Sequence, residues 1–91
     1  MVKRRIVVYY RKNKFAYNRL GITVSPKIGC AVVRNRVRRL IKENYRLLQG
    51  LSSGYDIVIV ARSSSKDASF EEIGKDLGKA FKECFLLSEE N

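Results

Sequence analysis

The sequence predicts an α+β fold, a single-layer β-sheet with helices packed on it, in the order β-β-α-β-α. Three observations predict it. Short β-branched and aromatic runs at residues 5–11, 19–25 and 55–62 have the length and composition of strands. Two longer segments, one beginning near Cys30 and one at Ser69, repeat apolar residues at helical spacing. The 91 residues suffice for one modest core and not for two, so residues 1–91 form a single domain.

The first run, RIVVYYR, directs Ile6, Val8 and Tyr10 to a core and leaves Arg5, Val7, Tyr9 and Arg11 on the opposite face. KNKFAYN, residues 12–18, is a polar connection with turn-forming asparagines. RLGITVS alternates: Leu20, Ile22 and Val24 share one face, Arg19, Gly21, Thr23 and Ser25 the other. These two strands are expected to pair as a hairpin. Pro26 and Gly29 break the pattern before a helix. Around that helix Val37, Leu40, Ile41, Leu47 and Leu48 form an apolar stripe. Arg34, Asn35, Arg38, Arg39, Lys42 and Arg46 lie opposite it, with Arg36 at the margin.

GLSSG, residues 50–54, ends the helix. YDIVIVAR, residues 55–62, is almost continuously apolar, as expected of a central strand buried on both faces. After the loop RSSSKDA, Ser69 and Glu72 form a capping box that opens a second helix. Phe70, Ile73, Leu77, Ala80, Phe81 and Cys84 are its apolar residues. Gly74 and Gly78 each weaken it by ~1 kcal/mol relative to alanine, and are expected to let it pack closely on the sheet. If the strands flanking the first helix are parallel, that unit is a β-α-β crossover.

Charge is distributed unevenly. The chain has 19 Lys and Arg against 9 Asp and Glu, a net +10. Residues 1–49 hold 14 bases and one acid, Glu43; residues 50–91 hold 5 bases and 8 acids. An N-terminal half at +13 and a C-terminal half at −3 point to a polyanionic partner for the first half. Cations in the first turns of a helix oppose its macrodipole. A bound phosphate backbone offsets that repulsion, and arginine suits bidentate phosphate contacts. This favours nucleic acid over a merely solvated face. A membrane surface fits poorly, because the core needs the apolar stripe and no Trp or Phe anchors lie along it.

Histidine is absent, and Cys30 and Cys84 are far apart, so no zinc or Cys-x-x-Cys pattern exists. The cysteines read as reduced, structural thiols. No protein-bound cofactor is expected. No run is long enough to span a bilayer and no signal peptide precedes the first strand, which predicts a cytoplasmic protein. A free-standing nuclease would need histidines or clustered carboxylates. Asp67, Glu71, Glu72 and Asp76 read instead as a helix N-terminus and its solvated face.

SPKIGCAVVRNRVRRLIKENYR, residues 25–46, resembles the signature of the bacterial ribonuclease P protein subunit. That signature joins a Lys-ϕ-Gly element, a small-residue Ala-Val step and an RNR block on a helix. RLGITVS and DIVIVAR resemble the strands before and after it, so the likeness covers almost all of the chain. The resemblance implies a small protein that assists a catalytic RNA in maturing transfer RNA 5′ ends. The RNA subunit would carry out the hydrolysis, with Mg2+ acting through that RNA. The implied partners are the catalytic RNA and the 5′ leader of precursor transfer RNA, with no obligate protein partner. The family's RNA-facing positions fall here on Arg34, Asn35, Arg36, Arg38, Arg39 and Lys42, with Lys27 upstream; Arg46 extends the same face. The resemblance also implies a left-handed crossover, against the usual right-handed rule.

Three departures stand out. Pro26 replaces one of two cations usual before the Ile-Gly step, Cys30 stands where a polar residue is common, and the chain starts nearly at the strand, without the family's N-terminal helix. Tyr9 matches the aromatic of the family's leader-binding strand. With Arg5, Val7, Arg11 and, from the next strand, Arg19, it makes a leader-binding set. Independently of the resemblance, cations flanking a flat aromatic suit single-stranded RNA. Alternatively, Tyr9 is the residue that the family's N-terminal helix covers, or it simply packs there. A reading from another class is a non-catalytic RNA-binding module such as a ribosome-associated protein. Stimulation of a catalytic RNA separates the two.

Overall fold

The computed structural model describes residues 1–48 and 50–84. Strands β1 (Ile6–Lys12), β2 (Arg19–Val24) and β3 (Tyr55–Ala61) form one sheet, and helices α1 (Ala31–Leu47) and α2 (Phe70–Glu83) pack on it. Short 3-10 turns at Pro26–Ile28 and Ser63–Ser65 precede the two helices. The α+β class and the element order are those expected.

The sheet order is β1-β3-β2, and this corrects the expected hairpin. β3 lies between the first two strands, antiparallel to β1 and parallel to β2. The physical reason lies in β3 itself. As the most apolar strand it gains most from a central place, where both of its backbone edges are hydrogen-bonded and neither is left open. The asparagines of the β1–β2 connection then have a specific task. Asn13 N–H donates to the Gly54 carbonyl at 2.8 Å, and Asn18 accepts from Tyr55 N–H at 2.8 Å. Asn18 Nδ2 also donates to the Ser52 carbonyl. The connection is thereby pinned across the start of β3. Gly54, at φ 89°, makes the turn into that strand in a conformation that favours glycine.

Both helices cover the same face of the sheet. Ile6, Val8, Val24, Ile57, Ile59 and Ala61 meet Val37 and Ile41 of α1 and Ile73, Leu77, Ala80 and Phe81 of α2. Fully burying each of the larger side chains contributes ~1.5–3 kcal/mol. The α1 stripe departs from expectation at Leu47, which is 62% exposed, while Leu48, just past the helix, still packs against the core. Asn44 fills that position in the stripe. It is buried, and its Nδ2 donates to the Leu40 and Phe70 carbonyls at 2.9 and 3.0 Å. The capping box forms as expected, Ser69 accepting from Glu72 N–H while the Glu72 carboxylate accepts from Ser69 N–H.

Two further expectations are corrected. β3 is buried on one face only, since Val58 on the other is 39% exposed. Asp76 is buried and not solvated: it accepts from the Arg5 backbone N–H at 3.1 Å and lies 3.3 Å from the Arg5 guanidinium. The two helix glycines also differ. A Cβ on Gly74 would stand 2.5 Å from Asn44 Oδ1, so Gly74 permits close approach of α2 to α1, not to the sheet; Gly78 has open space. Gly74→Ala is expected to destabilise by about 1–3 kcal/mol, because it displaces a buried, hydrogen-bonded amide. Gly78→Ala is expected to stabilise by up to ~1 kcal/mol through helix propensity. Urea midpoints measured at unchanged m-value check the opposite signs.

Candidate nucleic-acid interface

Two surfaces carry the expected site residues. The first is the outer side of α1. Asn35, Arg39, Lys42 and Arg46 are exposed and recur at spacings of four, three and four, which aligns them in one row opposite buried Val37 and Ile41. Lys27 is exposed on the 3-10 turn just before the helix. The remaining arginines flank the row and are partly engaged. Arg34 Nε donates to the Gly29 carbonyl, and Arg38 donates to Asn35 Oδ1. Arg36, at the margin of the apolar stripe, donates to the Lys66 and Ala68 carbonyls at 3.2 and 2.9 Å, tying α1 to the turn before α2.

The N-terminus of α1 has no side-chain cap. Its amides therefore face outward as anion donors. The nearby Val33 and Val32 amides pull the exposed Cys30 thiol below its usual range, with Arg34 adding to the effect. Both cysteines are free; Cys84 is buried, whereas the exposure of Cys30 removes it from the core.

The second surface is the sheet face away from the helices. Strand pairing sets its residues in three rows: Val7, Val60 and Thr23; Tyr9, Val58 and Gly21; Arg11, Asp56 and Arg19. Tyr9 is 58% exposed, beside a depression of about 280 Å³ lined by Tyr9, Tyr10, Arg11, Asp56 and Val58. Four of the five leader-set residues share this face. Arg5 does not. It precedes β1 in a bend, where strand alternation has lapsed, and its guanidinium pairs with Asp76 and Glu72 of α2.

Sequence reasoning missed Asp56, the organiser of the third row. Arg19 Nε and Nη2 donate to its two oxygens at 2.8 and 2.7 Å, Asn13 Nδ2 donates at 2.9 Å, and Arg11 lies 4.0 Å away. Arg19 above all, then Asn13, holds the Asp56 carboxyl far below the usual carboxylate range. A lone acid in an otherwise apolar strand, flanked by arginines in both neighbouring strands, was the available signal. Among the described residues no three His, Cys, Asp or Glu side chains gather as a metal-ligand set, and no helix is long and apolar enough to cross a membrane.

The model of the family described as Ribonuclease P matches residues 1–84. The chain belongs to the ribonuclease P protein family. Among curated relatives, the ribonuclease P protein component of Clostridioides difficile (strain 630) is 57% identical over 74 residues, covering 79% of this chain and 65% of that protein. That of Clostridium botulinum (strain Langeland / NCTC 10281 / Type F) is 46% identical over 87 residues, covering 93% and 78%. The solved Staphylococcus aureus RNase P protein superposes with a TM-score of 0.86 at 34% identity, over 97% of this chain and 82% of that one. The chain thus spans about two thirds to four fifths of the length of these ribonuclease P proteins. The likeness covers 97% of this chain, so the α1 helix and the three-stranded sheet belong to the shared fold.

Proposed function

We propose that this chain is the protein subunit of ribonuclease P and acts in the 5′-end maturation of transfer RNA. It binds the catalytic RNA through the basic row of α1 and the precursor's single-stranded leader across the open sheet face. The RNA carries out the hydrolysis, and Mg2+ acts through it. The observation that carries this reading is the pairing of two cationic surfaces of different character on one small fold. One is a convex, arginine-rich helix suited to phosphates. The other is a flat face with an exposed aromatic beside the row that carries Arg11 and Arg19, suited to unpaired bases.

The experiment is reconstitution with a bacterial catalytic RNA at low magnesium. The protein is expected to stimulate cleavage at the correct 5′ end and to favour precursor over mature transfer RNA. Tyr9→Ala should lower precursor affinity about fivefold or more, since one base–aromatic stack is worth ~1–3 kcal/mol. Affinity for mature transfer RNA should stay unchanged. An equal loss for both substrates would mean that Tyr9 supports assembly and not leader recognition.

A further inference from the structure

The polar connection between β1 and β2 holds a feature that neither the basic helix nor the Tyr9 row uses. Phe15 and Tyr17 stack, with ring centroids 5.2 Å apart and planes inclined by 24°. The Arg19 guanidinium lies 4.8 Å from the Phe15 ring centroid and is itself clamped by both Asp56 oxygens. Asp56, Arg19, Phe15 and Tyr17 are thus joined in one cluster by hydrogen bonds, a cation–π contact and a ring stack. Tyr17 is 57% exposed.

Asn13 ties down the loop that carries the two rings. Asn13 Oδ1 accepts from Phe15 N–H at 2.8 Å, and Asn13 Nδ2 donates to the Tyr17 carbonyl at 3.3 Å. Two exposed aromatics on a short polar connection would ordinarily be a solubility liability, and cations surround these. Residues 11–19 carry four basic residues and no acid. A second open depression, of about 460 Å³, is bordered by Arg11, Lys12, Lys14, Phe15 and Arg19, and shares Arg11 and Asp56 with the depression beside Tyr9. The two depressions therefore adjoin at Arg11 and Asp56.

We propose that Tyr17, backed by Phe15 and Arg19, is a second base-stacking platform for single-stranded RNA. Its occupant is the stretch of the leader that runs beyond the Tyr9 row, on the reading that this face holds the leader. Three features match that occupant. A flat ring with a cation behind it stacks any base. Lys12 and Lys14 are placed to neutralise the phosphates between stacked bases. Finally, the second depression adjoins the row already assigned to the same strand at Arg11 and Asp56. The Asp56 charge does not oppose this, because Arg19 and Arg11 neutralise it locally.

The test compares reconstituted enzyme acting on precursors whose leaders differ in length, roughly four against roughly twelve nucleotides, within the range of site sizes for small single-strand binders. At fixed salt, the long leader is expected to bind more tightly than the short one. Tyr17→Ala should remove about fivefold or more of affinity for the long leader and leave the short one unchanged. Tyr17→Trp should keep the gain, and Tyr17→Leu, similar in bulk but without a ring, should lose it. Tyr9→Ala should weaken both substrates. If the long-leader gain survives Tyr17→Ala, or Tyr17→Leu retains it, this platform is refuted while leader binding at Tyr9 stands. If the unmodified protein gains nothing from any leader, both readings fall.

Discussion

Val37→Asp is expected to abolish the folded state near neutral pH. Val37 is fully buried in the middle of α1, among the strand and α2 side chains of the core. The substitution forfeits ~1.5–3 kcal/mol of apolar burial. It also places in the core a carboxylate with no cation to meet it, a cost of several kcal/mol more. A domain of this size has only ~5–15 kcal/mol of stability in total, and a small one sits toward the low end. The aspartate would avoid part of the penalty by staying protonated, so its folded-state pKa would be raised above the unfolded value. The folded variant then binds the extra proton, and its residual stability is greatest at acid pH and lost as pH rises. Val32→Asp is the control. Val32 lies in the first turn of the same helix and is 77% exposed. An acid there complements the macrodipole and should change stability by no more than ~1 kcal/mol. Circular dichroism with urea titration of both variants measures the contrast. A cooperative transition for Val37→Asp matching that of Val32→Asp would mean that the buried face of α1 is misassigned.

The contrast between two valines one and a half turns apart shows what the sequence made legible. Period and composition were enough to locate both helices, the capping box at Ser69 and Glu72, and the buried face of α1, because each depends on residues near one another in the chain. Strand order was not legible in this way. Nothing local to RIVVYYR or RLGITVS says that β3 will enter between them. The decision belongs to β3, whose apolar run gains most from pairing on both edges. The polar tertiary contacts were hidden for the same reason. Asn44 reads as a helix-weakening polar residue until α2 brings the Phe70 carbonyl to its amide and Gly74 to its side. Asp76 reads as a solvated acid until the bend before β1 delivers Arg5 to it.

The candidate site divides along that line. The row Asn35, Arg39, Lys42 and Arg46 needs only helical periodicity, and the structure places all four side chains at the surface. The open-face set needed strand alternation to hold up to Arg5, and it fails there. Its best-organised part, Asp56 with Arg19 and Arg11, joins residues 37 and 45 positions apart, a pairing that only the three-stranded register creates.

The second large effect is expected from that helical row. The combined variant Arg39→Ala, Lys42→Ala and Arg46→Ala should lose about a hundredfold in affinity for ribonuclease P RNA at 0.15 M salt, with little change in fold. The reasoning is counterion release: each phosphate contact lowers the logarithm of affinity by roughly 0.7–0.9 per tenfold rise in salt. At ~0.15 M salt one such contact is therefore worth about fivefold, and three together about a hundredfold. With ~6 contacts in all, the unmodified protein should show a slope of roughly −4 to −5, and the variant a slope shallower by about 2. Stability should barely move, because the three residues face solvent, away from Val37 and Ile41, and alanine has the higher helix propensity. Arg36→Ala serves as the contrasting case. Its two hydrogen bonds to the Lys66 and Ala68 carbonyls mean that part of its effect will appear as lost stability. Affinities measured across a salt series, alongside thermal melts, separate charge loss from structural loss. A triple variant that binds with unchanged slope would show that the RNA lies elsewhere on the molecule, and the exposed face of α1 would then be an ordinary solvated surface.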